Sequence, residues 1–347
     1  MTKKSVSNLS EFIARVLTNV GLRATDARVV AQLMAEADAR GADGHGIFRL
    51  PQYVKRIQSG GINTQPNITV IEDHPATALL DGDNAMGHLV MTCAAEMAIE
   101  KANICGVAWV GARNSNHAGP ASLYARMPLA RDMVGLYIAV GSANHLPPWG
   151  GIEMLLSTNP IAIAVPGVNG REIMLDMATT NAAYGKVKIK AQRNEAMPEG
   201  WMMDRQGNAL TDPKKAGEGF LLPIGGPKGY GLALMFGLLA GTLNGAAFGN
   251  DVVDFNRDFS TVTNTGHMVV AVKIAAFADV PAFKAKVEEI WDLMKSSPLL
   301  PGFDEIRLPG ERSARIYADR TTNGVPVTPE LQSTLNQLAD RLGIERL

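Results

Sequence analysis

Three apolar, β-branched runs in this chain each end in a cluster of polar residues, and no other feature restricts the architecture as much. Residues 107–110 lead into Gly111-Ala112-Arg113-Asn114-Ser115-Asn116-His117-Ala118-Gly119, and residues 134–140 into Gly141-Ser142-Ala143-Asn144-His145. Residues 172–175 lead into Asp176-Met177-Ala178-Thr179-Thr180-Asn181. Short apolar runs bounded by turn formers predict buried strands, and the helical segments between them make the chain an α/β protein. Loops held at strand ends are where such a scaffold presents chemistry. Taken alone, the 111–119 loop has two readings. Asn114, Ser115 and Asn116 make a turn and cap a helix, with His117 on the surface, or His117 is a group that exchanges a proton near neutral pH.

Along the chain, Leu9, Phe12, Ile13, Val16 and Val20 repeat at helical spacing and predict a helix over 8–20. A second helix is expected over 25–40, with Thr25 as its cap and Gly41 as its stop. The next segment, Asp43-Gly44-His45-Gly46-Ile47-Phe48-Arg49-Leu50-Pro51-Gln52-Tyr53, places His45, Arg49 and Tyr53 at steps of four. They share one face if the segment is helical after Gly46, although Pro51 argues for a kink or a late start. A guanidinium with a phenol and an imidazole suits a carboxylate; an exposed helix face is the competing account. Residues 58–86 form a turn-rich connector with a short strand near 68–71, which suits a domain boundary. Further helices are expected over 88–103, from 121 to about 130, over 232–243, over 281–295, and from Thr328-Pro329-Glu330 to Gly343. Strands are expected over 161–165 and 268–273. Gly225-Gly226-Pro227-Lys228 before the apolar helix has the makings of an anion site. Neither the GKS/T phosphate loop nor GxGxxG occurs, so no standard Rossmann unit is expected.

A length of 347 residues implies at least two lobes. Thirty-three basic against 34 acidic residues, with no long run of like charge, argue against nucleic acid or an anionic membrane as partner. Two cysteines without metal or redox spacing, and a start that lacks a secretory apolar core, lead us to expect a cytoplasmic protein. No apolar run approaches the ~18 residues of a membrane span.

The ordered blocks DGHGIFRLPQY, NSNHAG, LSTNPIAIAVP, LDMAT, GKV, GGPKGYG, NTGH and PGE resemble the malate/L-lactate dehydrogenase family, over residues 8–330. That family also contains ureidoglycolate and sulfolactate dehydrogenases, diketogulonate reductase and piperideine-carboxylate reductase. The resemblance implies an L-sulfolactate dehydrogenase-like, non-Rossmann α/β fold: a mixed, largely antiparallel sheet flanked by helices, with a helical lobe from both termini. It implies a substrate-binding lobe of residues 1–75 with 300–347, an NAD(P)-binding domain of residues 76–299, and a homodimer. The implied activity is hydride transfer between NAD or NADP and a small 2-oxo or 2-hydroxy acid, with reduction of a piperideine- or pyrroline-carboxylate as the alternative. His117 would be the proton-exchanging group, with His45 its neighbour and rival. Arg49 would hold the substrate carboxylate, with Tyr53 beside it, and Asn116 would also bind the substrate. Asp176, Met177, Ala178, Thr179, Thr180 and Asn181, with Pro227, Lys228, Pro309, Gly310 and Glu311, would contact the dinucleotide. Gly44 departs from the serine usual in relatives.

Two readings from other classes stand beside this one. A metal-dependent hydrolase built from His45, His117, His145 and His267 lacks any HExxH spacing. A non-catalytic binding scaffold has Gly44 as its one hint.

Overall fold

The structure is a computed structural model that describes residues 2–347, with Gln192 described by its backbone alone. Its helices are α1 (Val6–Asn19), α2 (Ala24–Ala39), α3 (Leu50–Gln58), α4 (Gly87–Cys105), α5 (Ser122–Arg126), α6 (Tyr184–Gln192), α7 (Pro227–Ala240), α8 (Val280–Lys295), α9 (Glu311–Asn323) and α10 (Pro329–Leu342). The strands of the main sheet are β1 (Thr69–Asp73), β2 (Thr77–Asp81), β3 (Val107–Ser115), β4 (Met133–Ala139), β5 (Ile161–Pro166), β6 (Glu172–Met177) and β7 (Thr265–Lys273).

The helical half forms because its apolar residues recur at one-turn spacing. Leu9, Phe12, Ile13, Val16 and Leu17 of α1 are all fully buried. They pack with Met34 of α2, Leu50 and Tyr53 of α3, and Leu335 and Leu338 of α10. Ser5 caps α1 through the Asn8 amide, and Thr328 caps α10 through the Leu331 amide. α2 begins one residue before its expected cap, so the Thr25 hydroxyl lies inside the helix and turns to Asp26.

The sheet runs in the order β1-β2-β3-β7-β4-β5-β6, and only β2 and β3 pair in parallel. Its mixed, largely antiparallel character is the one expected. One face carries Ala108, Val110, Ala112, Val269 and Ala271 against the alanine stripe Ala94, Ala95, Ala98 and Ala102 of α4. The other presents Ile138, Val140 and Met268 to Phe236 and Ala240 of α7. Small residues on both sides let α4 lie close to the sheet.

Several local expectations fail for identifiable reasons. Residues 111–115 are strand, not loop, because their backbone pairs on both sides, with β7 at Gly111 and Ser115 and with β2 at Gly111 and Arg113. Their turn-like composition survives as a left-handed Asn114 (φ 49°) opposite a register shift in β7. The helix expected from 121 to 130 is only α5, since Pro128 tightens the chain after it into a 3₁₀ turn, Met127–Arg131. β2, α6 and α9 escaped the sequence reading; Pro309 and Gly310 do form the expected turn, and Glu311 after them is the first residue of α9. No helix among the described residues is long and apolar enough to cross a membrane.

Candidate active site

The His45 segment is held from beneath by a buried carboxyl. Asp38, 3% exposed near the end of α2, accepts a hydrogen bond at 2.7 Å from the Ile47 amide. Gly46 is glycine for steric reasons, since a Cβ there would lie 2.0 Å from Asp38 Oδ1. Burial pushes the Asp38 carboxyl up to about 8. A 3₁₀ turn, Ile47–Arg49, precedes α3, whose first turn holds Pro51, so the helix does start late. Arg49 donates from Nε to the Gly44 carbonyl (2.8 Å) and from Nη1 to Gln52 Oε1 (2.8 Å), with its plane beside Phe255. Among the described residues its Nη2 has no hydrogen-bond partner, which leaves one prong of the fork available.

His117 lies just beyond the end of β3, and Asn116 fixes the chain there. The Asn116 amide donates to Asn84 O, Asn84 Oδ1 and Ala85 O at 3.1, 2.9 and 3.0 Å. Its Oδ1 accepts from Thr263 Oγ1 at 3.1 Å and from the buried Arg56 at 3.4 Å. With those groups occupied and 2% exposure, Asn116 braces the loop instead of facing a substrate, which corrects its expected role. Gly87 at the start of α4 lets this segment approach, because a Cβ there would sit 2.1 Å from the Asn116 carbonyl oxygen.

The imidazoles of His117 and His45 stack at 5.3 Å with planes 4° apart, and Phe255 stacks on His117 at 5.1 Å. His117 Nε2 lies 3.3 Å from His45 Nδ1, and His117 Nδ1 lies 2.6 Å from the Tyr53 hydroxyl. The predicted triad of His45, Arg49 and Tyr53 therefore converges on His117. Burial lowers His45 to about 4, with the Arg49 charge adding to it. It holds His117 well below the usual imidazole range, with smaller effects from His45, Arg49, His88 and His267. Burial raises the Tyr53 phenol, and the charge of Arg49 partly offsets this.

Two further histidines lie behind this pair. His267 places Nδ1 at 2.7 Å from the Tyr137 hydroxyl and Nε2 at 3.2 Å from the Asn116 carbonyl, so it supports the loop. His88 is fully buried, edge-on to Tyr53 at 5.7 Å, and neither ring nitrogen has a partner. Burial lowers it to about 3 from 6.5. Between those values the unfolded chain holds a proton that the folded one lacks, so His88 costs stability as pH falls below 6.5. Asp38, raised from 3.8 to about 8, acts in the opposite sense: between those values the fold holds a proton that the unfolded chain lacks, so stability falls as pH rises. His88→Leu is expected to narrow the stability gap between pH 7.5 and pH 5 by about 2 kcal/mol. Thermal melts at the two pH values measure it, and an unchanged gap would mean that the imidazole is charged or hydrated in the fold.

The segments expected to hold a dinucleotide also meet. Ile224 N donates to Thr179 O (3.0 Å), Asn181 N to Leu222 O (2.9 Å), and Thr180 bridges to Pro223, which brings 176–181 beside the loop that opens α7. Gly226 takes φ 64° before Pro227, and the exposed Lys228 stands in the first turn. The Thr179 and Thr180 hydroxyls are buried and bonded to Thr158 O and Ala182 O, so they do not line a ligand. Met177 and Ala178 are half-buried between Asp176 and Thr179. Asp176 is exposed at the end of β6, where one oxygen accepts from the Ser122 amide at 2.9 Å. The Pro309 carbonyl accepts from Met174 N at 3.1 Å, which docks the 309–311 turn along β6 with Gly310 against Met174. The Glu311 carboxylate is taken by Lys295 (2.7 Å), Arg315 (2.9 Å) and the Leu308 amide (3.0 Å), so it ties the start of α9 to α8 and to the preceding turn and is not free for a ligand.

Phe255, Asn256, Lys188 and Gln52 complete the surroundings of Arg49, and sequence reasoning did not place them there. Only aromatic and amide residue types in DFNRDFS hinted at the first two, without any spacing rule. His145 stacks on Tyr184 at 4.0 Å, where the charges of Asp254 and Lys188 reach it. Among the described residues no three His, Cys, Asp or Glu side chains converge as a metal site.

A sequence profile described as malate/L-lactate dehydrogenase matches residues 5–336. The malate dehydrogenase of Pyrococcus abyssi is 38% identical over 347 residues, covering 98% of this chain and 94% of that protein. The L-sulfolactate dehydrogenase of Methanocaldococcus jannaschii is 38% identical over 337 residues, with 97% and 96% covered. The solved structure of malate dehydrogenase from Pyrococcus horikoshii OT3 superposes with a TM-score of 0.91 at 36% identity, covering 100% of this chain and 97% of that one.

Proposed function

The chain belongs to the malate/L-lactate dehydrogenase family and is an oxidoreductase that transfers a hydride on small acids, and we propose that His117 exchanges the proton of the oxygen on C2 of a 2-oxo or 2-hydroxy acid. The observation that carries this reading is the seat of His117, held by the Tyr53 hydroxyl at Nδ1 and by His45 at Nε2, with Arg49 close by. A nicotinamide dinucleotide supplies the hydride when bound. Arg49 receives the substrate carboxylate on its free prong, and Tyr53 fixes the imidazole that meets the oxygen on C2. His117 is neutral before substrate arrives, so it is ready to accept a proton from a hydroxy acid. For the reverse reaction the incoming carboxylate raises its proton affinity, because an anion beside an imidazole favours the charged form.

For NAD or NADP, the surroundings that fit are the exposed Asp176 and Asn181, the half-buried Met177 and Ala178, the backbone of the Pro309–Gly310 turn, and the first turn of α7 with Lys228. Amides at a helix start and an ammonium suit a pyrophosphate. Thr179, Thr180 and Glu311 hold those surfaces in shape.

The helical lobe of residues 1–75 with 300–347 carries His45, Arg49, Tyr53 and the Pro309–Gly310 turn, and residues 76–299 carry His117 and the other dinucleotide surfaces. We place the protein in the cytoplasm, where its exposed free thiols Cys93 and Cys105 stay reduced. We also assign it as a homodimer. α7 is apolar nearly all round and leaves Leu232, Met235 and Leu238 exposed, a face that a second copy would bury.

Purified protein is expected to quench or enhance NADH or NADPH fluorescence saturably, to oxidise that cofactor with 2-oxo acids, and to scatter light as two chains. Failure to bind either cofactor would overturn the assignment to hydride transfer in this chain, and a single-chain mass would overturn the dimer.

A further inference from the structure

Among the described residues the largest fully buried side chain is a charged one, Arg56, three residues beyond Tyr53 on α3. Its guanidinium fans out to segments far apart in the chain. Nη1 donates to Asp258 O at 2.6 Å, and Nη2 to Gly61 O at 3.0 Å, to Thr261 O at 2.9 Å and to Asn116 Oδ1 at 3.4 Å. Every one of these acceptors is a neutral oxygen. The Asp258 carboxylate, whose charge still reaches Arg56, is turned to its own loop, where Oδ1 accepts from the Ser260 and Thr261 amides at 3.0 and 2.8 Å. Arg56 Nε is buried without a partner.

A guanidinium sunk without a paired carboxylate and with one N–H unmet is a poor device for stability, and an apolar side chain of similar volume would serve that end as well. What the fork does make is a junction. Residues 252–264 contain no helix or strand, so side chains have to fix their course. This loop lays Phe255 on the His117 ring at 5.1 Å and gives the Thr263 hydroxyl to Asn116 Oδ1 at 3.1 Å. Three residues of α3 grip it. Gln52 Nε2 donates to Phe255 O at 2.8 Å, Lys55 Nζ lies 3.6 Å from the centre of the Phe259 ring, and Arg56 takes the two carbonyls. Of the three, Arg56 alone also reaches Asn116, the residue before His117.

We infer that Arg56 is a positioning residue for hydride transfer: it seats His117 from two sides, holding the chain that carries the ring through Asn116 and the loop that lays Phe255 over the ring through the Asp258 and Thr261 carbonyls. This inference rests on the assignment of the proton exchange to His117. An ammonium could keep the charge of Arg56 but could not span all three segments, because its donors leave one atom. The titratable and charged groups that face His117 are His45 and Arg49 before α3, Tyr53 on α3, His88 on α4 and His267 on β7. None of them belongs to the 252–264 loop, whose part is to exclude water. Burial is the main cause that keeps His117 neutral, so a loosened loop returns proton affinity to the ring.

The test compares wild type with Arg56→Met, Arg56→Lys and Gly61→Ala. In the last, Arg56 is kept and a Cβ placed 2.3 Å from the Phe259 carbonyl oxygen pushes the loop away from it. Steady-state kinetics with a 2-oxo acid and saturating NADH or NADPH give one readout. NMR of histidine-labelled protein gives the other, with the His117 ring signal identified by its loss in His117→Gln. Arg56→Met is expected to lower kcat by roughly 10–100-fold, the effect of misplacing a reacting group by about 1 Å. KM should change less, since Arg49 keeps its contacts with Gly44 and Gln52. The His117 ring, neutral well below pH 6.5 in wild type, should titrate in the variant close to the ordinary value of about 6.5. Arg56→Lys should recover only part of either loss, and Gly61→Ala should move both readouts in the same direction as Arg56→Met.

A folded Arg56→Met or Gly61→Ala variant with wild-type kcat overturns the inference. So does a kcat that falls only in proportion to the fraction of chains able to bind cofactor, with the His117 titration unchanged, because Arg56 is then a structural residue alone. Full activity in Arg56→Lys overturns it as well, by showing that charge without the fork suffices. Thermal melts identify the folded variants, and if Arg56→Met does not fold, Arg56→Lys and Gly61→Ala decide the matter. Near-normal turnover in His117→Gln brings down the parent reading instead, while the NMR titration still reports whether Arg56 seats the ring.

Discussion

Replacing His117 by alanine is expected to reduce kcat for 2-oxo acid reduction by roughly two to four powers of ten, the usual yield of a positioned proton donor. The variant loses the imidazole that stands between Tyr53 and His45, and neither neighbour is placed to substitute. Tyr53 is buried with a raised pKa, and His45 presents its Nδ1 to His117. A pH profile supplies the second readout. Because the free enzyme holds His117 neutral well below pH 6.5, kcat/KM for reduction should rise by about tenfold per unit as pH falls from 8 to 6. Over the same interval kcat/KM for hydroxy-acid oxidation should stay flat. The reduction slope should vanish in His117→Ala. Near-normal rates in that variant would transfer the role to His45.

Arg49→Lys is expected to raise KM for a 2-oxo acid by roughly 10–100-fold while changing kcat less. An ammonium keeps the charge but loses the second prong, and it also loses the Nε contact with the Gly44 carbonyl. That contact ties the substrate-binding group to the His45 turn, so a modest fall in kcat should accompany the change in KM. Steady-state kinetics with saturating cofactor measure both parameters, and an unchanged KM would refute the carboxylate clamp.

How far the sequence foretold this site depended on how local each interaction is. His45, Arg49 and Tyr53 were legible because their spacing and Pro51 sit within one turn and one helix. The periodicity of Leu9, Phe12, Ile13 and Val16 was legible for the same reason. The length of β3 was not, because turn-forming residue types at 111–115 yield to pairing with β2 and β7, which lie elsewhere in the chain. Lys188, Phe255 and Asn256 reach Arg49 only through the folding of distant segments, and no spacing rule connects 188 with 256. Asn116 and Glu311 expose a different limit. Polar residue types announce hydrogen bonding without saying whether the partner is a ligand or the protein, and in both cases it is the protein.

The paired imidazoles rest on two positions that have no functional group at all. Gly46 leaves space for the Asp38 carboxyl, and Gly87 leaves space for the Asn116 carbonyl, each where a single added methyl would collide. For divergence within the family this means that the immutable set is larger than the reactive set. A lineage can trade one acid for another by altering the residues around Arg49, yet it has almost no freedom at two glycines that never touch what is being oxidised or reduced.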